Sequence, residues 1–121
     1  MTDETFDLTA PELTEDDLLR VEDPRFTTET VALVTGAASG IGEATAVALA
    51  ANGLTVVGAD VDEAGMEETG ETVEEFDAPG RFLPVATDLT DDGDVEAVVE
   101  AAAEEGALRY VANIAGMQHI D

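Results

Sequence analysis

A glycine-rich segment, residues 35–42, lies between a short apolar run and a stretch with helical periodicity. The preceding run, residues 31–34, is rich in β-branched residues and predicts a buried strand. After the segment, apolar residues recur at helical spacing: Ile41, Ala44, Ala48 and Leu49. The segment is therefore predicted to be a strand-to-helix turn. The unpaired N–H groups and the dipole of the following helix would attract a pyrophosphate there.

The glycines of this turn, Gly36, Gly40 and Gly42, allow backbone conformations that other residues avoid, and they place no side chain against a ligand. Ser39, just before the helix, is predicted either to cap it or to donate to a phosphate oxygen. The spacing Gly-x-x-x-Gly-x-Gly is one residue longer than the common dinucleotide fingerprint, and no lysine follows, which excludes a Walker phosphate loop. From the glycines alone, a turn that binds nothing is the alternative.

A second apolar run, residues 54–59, ends at Asp60. A carboxylate about 20 residues beyond the glycines can accept both hydroxyls of an adenosine ribose. Because the chain is so acidic, a helix-capping or solvated role for Asp60 is the alternative. Its position favours the ribose, and like charge would then disfavour the 2′-phosphate of NADP.

These residues resemble the short-chain dehydrogenase/reductase family. Residues 35–42, with Ile41, match that family's Thr-Gly-x-x-x-Gly-Ile-Gly nucleotide loop in full. Asp88 and Leu89 look like the pair that flanks the adenine. Residues 113–116 look like the Asn-Asn-Ala-Gly motif, with Ile114 in place of the second Asn. Residues 113–119 are also similar, more weakly, to 3-hydroxybutyrate dehydrogenases.

The resemblance covers about residues 29–121 and implies the first half of a family domain, with NAD as the cofactor. Asn113 would tie the central strands together and sit near that cofactor. The cofactor-binding residues that it implies are Gly36, Ser39, Gly40, Ile41, Gly42, Asp60, Asp88, Leu89, Asn113, Ala115 and Gly116.

Strand and helix patterns alternate from Thr30 onward, which predicts an α/β fold. We expect a Rossmann-type doubly wound parallel sheet that ends after its fourth strand. Pro84 cannot donate to a strand ladder and predicts an edge position for the third strand, in agreement with the family's 3-2-1-4 order. The expected elements are a strand and helix over 30–52, a strand ending at Asp60, a helix capped by Asp62, a strand over 81–86, a helix stopped by Gly106 and a strand over 110–114. The residues expected to face inward from the second and third helices are Met66, Val73, Phe76, Val95, Val98, Val99 and Ala102.

Acidic residues dominate the charge of this chain: 29 Asp and Glu against 4 Lys and Arg, for a formal net charge of −25. Such a chain should repel nucleic acid and anionic membranes. Hydrophobic residues still make up 45% of it, so a core is expected beneath an acidic surface that needs counterions, as in a halophilic cytosol. No stretch has the ~20 apolar residues of a membrane span, and no signal-peptide pattern begins the chain, so we expect a cytoplasmic protein.

Residues 1–28 form an acidic arm without strand periodicity, and residues 29–121 form the partial nucleotide-binding domain. Residues 14–17 could cap a short helix that Pro24 ends. We expect a partly ordered tail, with docking against a neighbouring subunit as the alternative.

Catalytic residues of the family are not found in this sequence. The family's Tyr-x-x-x-Lys needs a lysine, and the chain has none. Its one tyrosine, Tyr110, is interpreted as a strand side chain. His119 could contact a substrate in a complete enzyme. A metal site at this histidine has no support, because the sequence contains no cysteine and no second histidine.

The sequence therefore predicts the cofactor-binding half of an NAD-dependent short-chain dehydrogenase that is inactive by itself. The alternatives are a non-catalytic dinucleotide-binding module and a non-functional remnant. An unpaired fourth strand would favour a homo-oligomer or a complementing C-terminal half as partner.

Overall fold

The computed structural model of the protein describes residues 23–114, in which strands and helices alternate. The elements are β1 (Thr30–Thr35), α1 (Gly40–Ala51), β2 (Thr55–Asp60), α2 (Glu63–Glu75), β3 (Arg81–Ala86), α3 (Asp92–Glu105) and β4 (Ala107–Asn113). The four strands form one parallel sheet in the order β3-β2-β1-β4. The predicted doubly wound fold and the edge position of the third strand are both confirmed. The predictions for the helix near residues 14–21, for Ala115, Gly116 and His119 lie outside the described residues.

Helices cover the two faces of the sheet unequally. On one face, α1 and α2 pack against Val34 and Val56 through Ala46, Val47 and Met66. On the other face, the α3 residues Val98 and Ala102 pack against side chains of β1 and β2. Because both faces of β1 and β2 are covered, these strands are continuous apolar runs, as buried parallel strands usually are.

The helix termini follow the sequence signals. Asp62 caps α2, accepting the Gly65 N–H at 3.0 Å. Asn52 ends α1, and Gly53 then takes a positive φ of 100°. Gly106, with φ 156°, follows α3 and starts the turn into β4.

The spacing of Ile41, Ala44, Ala48 and Leu49 predicts a helix, and α1 is one. Its buried residues are Gly42, Ala46, Val47, Ala50 and Ala51, and Ile41 is 74% exposed, because the helix is apolar almost all round and spacing does not define its inward face. Two details of the sequence-based predictions are wrong. In α3, Val99 is 41% exposed, since it lies about 100° around the helix from the Val98–Ala102 line. β4 begins at Ala107, three residues earlier than expected, because it pairs with the start of β1.

The pairing of β4 with β1 contains an irregularity at Arg109. Val31 is opposite Leu108, whereas the next residue, Ala32, is opposite Tyr110. Arg109 is thus the extra residue of a bulge, which re-aims the side chains around it.

No helix within residues 23–114 is long and apolar enough to cross a membrane.

Candidate functional site

The glycine-rich turn after β1 has the backbone geometry that its sequence predicts. Gly36 and Gly40 have φ values of +72° and +62°, which L side chains rarely adopt. The Gly36 N–H donates to the Ala59 carbonyl at 2.9 Å, so the start of the turn is tied to the end of β2. The turn delivers the chain to the first residue of α1, whose leading N–H groups have no partner within the helix.

Gly42 serves a different purpose, close packing. A Cβ at this position would overlap the Gly36 carbonyl oxygen. The helix therefore rests directly on the backbone of the turn, and any larger residue would push the two apart. This contact sets the position of the helix N-terminus relative to β1.

The first half of α2 packs against the glycine turn. The buried Thr69 hydroxyl donates to the Ala37 carbonyl at 2.8 Å. A Cβ on Gly65 would lie 2.8 Å from the Ala38 Cβ, so that glycine allows α2 to approach. By helix propensity alone, Gly65 would only weaken the helix. A glycine inside a helical pattern was nevertheless the available signal of a close contact.

Asp60 lies at the carboxyl end of β2 and joins the turn to the start of α2. Its Oδ2 accepts the Ala38 N–H at 3.2 Å, and its Oδ1 accepts the Asp62 N–H at 3.0 Å. The carboxylate is half-buried, and each oxygen keeps a further lone pair for a hydroxyl donor. The capping role considered for Asp60 falls to Asp62 instead.

Exposed groups lie at the first turn of α1. Ser39 occupies the N-cap position, but its side chain makes no capping hydrogen bond, so the predicted capping role is not seen. Ile41 projects from the same turn. Burial raises the pKa of the Glu43 carboxyl, and the nearby Glu68 carboxylate adds to that shift.

Asp88 and Leu89 follow β3 and approach the same edge of the sheet. The Thr87 N–H donates to the Asp60 carbonyl at 3.0 Å, which brings this segment beside the end of β2. The Asp88 Oδ1 accepts the Thr90 hydroxyl at 2.6 Å and the Thr90 N–H at 2.9 Å, and these bonds lower the pKa of the carboxyl. Leu89 is half-buried.

Asn113 ends β4 and is linked to the first residue of the turn. Its Oδ1 accepts the Thr35 hydroxyl at 3.0 Å, and the Ile114 N–H donates to the same hydroxyl at 2.9 Å. Thr35 and Asn113 are opposite each other in the sheet. The side chains join β1 to β4 beside the turn, which is the structural role that the resemblance implies for Asn113.

The turn, Asp60, Asp88 and Asn113 thus lie at the carboxyl ends of adjacent parallel strands, where open α/β sheets bind ligands. Residues 30–121 match the family described as short chain dehydrogenase. The chain belongs to this family. Membership makes it a relative of oxidoreductases built on this fold.

The individual similarities cover only part of each relative. Cis-4-hydroxycyclohexanecarboxylate dehydrogenase of Sinomonas cyclohexanicum is 48% identical over 90 residues, which are 74% of this chain and 35% of that protein. A short chain dehydrogenase/reductase from Burkholderia phymatum, solved in complex with NAD, is 35% identical with a TM-score of 0.63, over 72% of this chain and 30% of that one. L-sorbose reductase from Gluconobacter frateurii, complexed with NADPH and L-sorbose, is 30% identical with a TM-score of 0.67, over 78% and 36%. The chain spans about a third of the length of these relatives.

Two cavities lined by described residues lie away from the glycine turn. One, of about 400 Å³, is between α2 and β3 near Phe82, and the other, of about 440 Å³, is at the amino ends of β1 and β4. The turn is the better candidate site despite these cavities, because a pyrophosphate is held by backbone N–H groups at a helix end rather than by enclosed volume.

Residues 23–114 offer few side chains for metal binding or proton transfer. No cluster of three or more His, Cys, Asp or Glu there could hold a metal ion. Tyr110 lies within β4, opposite Ala32, and its ring packs edge-on against Phe26 with 6.5 Å between centroids. This placement agrees with the predicted role of a strand side chain.

Proposed function

We propose that this chain binds NAD at the glycine turn and is the cofactor-binding part of a dehydrogenase that interconverts a secondary alcohol and a ketone. The observation that carries this is the turn itself, in which Gly36 and Gly40 adopt positive φ and Gly42 packs on the Gly36 carbonyl. The N–H groups at the start of α1 would hold the pyrophosphate. Bound NAD supplies a hydride acceptor, and the residues of this chain bind and orient it.

Asp60 supports NAD over NADP. Its carboxylate would accept the ribose hydroxyls and would repel a 2′-phosphate. A cation that could receive that phosphate is not close by: among the described arginines, Arg81 begins β3, and Arg25 and Arg109 line the cavity at the amino ends of β1 and β4. Asp60 lies at the opposite, carboxyl end of the sheet.

Calorimetric titration with NADH and NADPH in molar KCl tests this preference. We expect tighter binding of NADH, and Asp60→Ala should narrow the preference by about tenfold, or ~1.4 kcal/mol. Asp92→Asn, which removes the same charge at the start of α3, is the control and should leave the preference unchanged. Tighter binding of NADPH by the unmodified chain would contradict the role of Asp60.

We further propose that the 121-residue chain does not transfer hydride by itself. A positioned proton donor contributes typically 10²–10⁴-fold to such a reaction. Without lysine, the chain has no Tyr-x-x-x-Lys, and Tyr110 packs against Phe26. The measurement is NADH formation from secondary alcohols and 3-hydroxy acids in high salt. Turnover above background that Gly42→Ala abolishes would show that the chain has its own acid and base.

The second candidate function is a dinucleotide-binding module without catalysis, for which the glycine turn and Asp60 would serve equally well. The enzyme would need a partner chain that supplies the catalytic residues, whereas the binding module would not. A reading frame just downstream that carries Ser and Tyr-x-x-x-Lys would support the enzyme, and restored turnover on mixing the two chains would establish it. A halophilic cytosol is the setting that we propose for either, from the net charge of −25.

A further inference from the structure

One arginine in this very acidic chain has no partner among the described residues. Arg25 pairs with Asp23, with Nη2 to Oδ2 at 2.6 Å, and Arg81 pairs with Glu105 at 3.1 Å. Arg109 makes no ion pair or hydrogen bond to any side chain within residues 23–114. With 29 acidic residues against 4 basic ones, an unmatched cation is unexpected. Its partner is therefore to be sought beyond those residues.

Arg109 is placed beside a cavity by the bulge of β4. The cavity, of about 440 Å³ at the amino ends of β1 and β4, is also lined by Pro24, Arg25, Glu29 and Tyr110. Glu29, the one acid in this lining, forms no ion pair with either arginine. The Tyr110 ring is 39% exposed. The cavity thus offers an unpaired guanidinium and an apolar ring side by side.

A strongly acidic segment of the same chain is attached at the wall of this cavity. Residues 1–22 precede Asp23, and Pro24 and Arg25 already belong to the lining. The last part of that segment holds carboxylates, Asp16, Asp17 and Glu22, together with the apolar residues Leu18, Leu19 and Val21. Asp16 is seven positions from Asp23, and an extended chain spans ~3.3 Å per residue, so Asp16 can lie up to roughly 20 Å from Asp23.

We propose that residues 16–22 of this chain dock in the cavity, with a carboxylate on the Arg109 guanidinium and an apolar side chain over Tyr110. The tether supplies a local concentration of about millimolar, which favours this segment over the acids of a second copy in a dilute solution of the protein. Docking covers the amino ends of β1 and β4 and leaves the glycine turn at the opposite end open.

Two features of the sequence provide sharp probes. The chain has one tyrosine and no tryptophan, so its intrinsic fluorescence reports on Tyr110 alone. Trypsin has only four arginines to cut after and no lysine, and Arg20 lies in the proposed docking segment. Acrylamide quenching of Tyr110 and the rate of cleavage after Arg20 are therefore both measures of docking.

The test uses four variants of the full chain at the lowest KCl concentration at which the chain keeps its helical circular dichroism, because molar salt would screen an exposed ion pair. We expect Arg109→Gln to raise both measures by about two- to fivefold, the range that an exposed ion pair supports. The triple change Asp16→Asn, Asp17→Asn and Glu22→Gln should raise the quenching of Tyr110 by a similar factor, and quenching is its measure because the changed acids flank the bond that trypsin cuts. Arg81→Gln is the matched control for the first. The triple change Asp3→Asn, Glu4→Gln and Asp7→Asn, equal in charge but further from Asp23, is the control for the second. Both controls should stay near the unmodified chain.

The remaining outcomes overturn the proposal. If neither Arg109→Gln nor the nearer triple change alters the two measures, the segment does not dock on Arg109. If protection falls on dilution of the protein, the occupant is the acidic segment of a second copy. Should Arg109→Gln lose its helical circular dichroism, the nearer triple change decides the matter, because it leaves every described residue intact.

Discussion

Two halves of the sheet differ in burial and in charge. We call β1, β2 and α1 the closed half and β4 and α3 the open half; β3 and α2 belong to neither. In the closed half, every residue of β1 but Thr30 and every residue of β2 but Asp60 is buried. In the open half, no residue of β4 is fully buried, and Val111 is 60% exposed. The single charged residue of α1 is Glu43, whereas α3 has six acidic residues: Asp92, Asp94, Glu96, Glu100, Glu104 and Glu105.

The closed half holds the glycine turn in a fixed geometry. The glycine turn and Asp60 belong to the closed half, and packing holds them from several sides through Gly42, Gly65 and Thr69. Backbone N–H groups can select a pyrophosphate only if they are fixed before it arrives. The open half contacts the site through the Asn113 amide oxygen, which accepts the Thr35 hydroxyl, and through the Asp94 carboxylate, which accepts the Asp88 N–H.

The two outer strands make a related contrast. Pro84 lies in β3, where it removes a donor from the exposed edge, and Phe82 of the same strand packs into the core with α1 and α2. β4 has no proline, and the exposed Val111 lies at its edge. β3 therefore has the features of a sheet terminus, and β4 lacks them.

The largest expected change in stability comes from adding one methyl group to the closed half. Gly42→Ala places a Cβ against the Gly36 carbonyl, and we expect a loss of about 3 kcal/mol with loss of NAD binding. Gly70→Ala is the matched control, because its Cβ would lie 3.6 Å from the Phe82 ring, an ordinary contact. That helical substitution should stabilise by up to about 1 kcal/mol. Urea unfolding in molar KCl measures both. Equal effects of the two would show that the turn is not closely packed.

The stability of the open half should depend on salt concentration more strongly than that of the closed half. Repulsion among surface acids weakens as the Debye length falls to about 3 Å in molar salt, so melting temperature should rise with KCl. We expect α3 to be the most sensitive element, because it has six acidic residues and Glu104 lies at the negative end of its dipole with no basic residue in the last turn. We expect hydrogen-exchange protection to increase more steeply with salt in α3 than in α1. Stability that is the same in dilute buffer and molar KCl would refute the halophilic interpretation.

The smallest expected effect concerns pH and the one charge of α1. The pKa of Glu43 is raised in the folded state, so ionising it costs stability as pH rises from below its unfolded value through the raised value. Glu43→Gln should therefore stabilise the protein more at pH ~7 than at pH ~4. Glu100→Gln, an equal change of charge on α3, is the control. The melting temperature of each variant at both pH values gives the answer, and a pH dependence that the two variants share would exclude a local cause.

Local signals in the sequence determined the element order, the glycine turn and the caps at Asp62, Gly53 and Gly106. They also determined the edge position of β3. Glycine, proline and capping residues act through the backbone within a few positions, and apolar periodicity reflects burial along one element, so these features can be read without knowing the neighbours.

Only the tertiary structure decided how the turn is held and which faces are covered. Asp60 accepts a turn N–H across 22 residues, Thr69 reaches Ala37 across 32, and Thr35 meets Asn113 across 78. Whether Ile41 and Val99 are buried, and where β4 begins, likewise depends on which element lies alongside. Contacts of this kind join residues far apart in the chain, and no periodicity within either segment specifies its partner. The residue types for a nucleotide turn are thus present in the sequence, and their rigid arrangement is a property of the folded sheet.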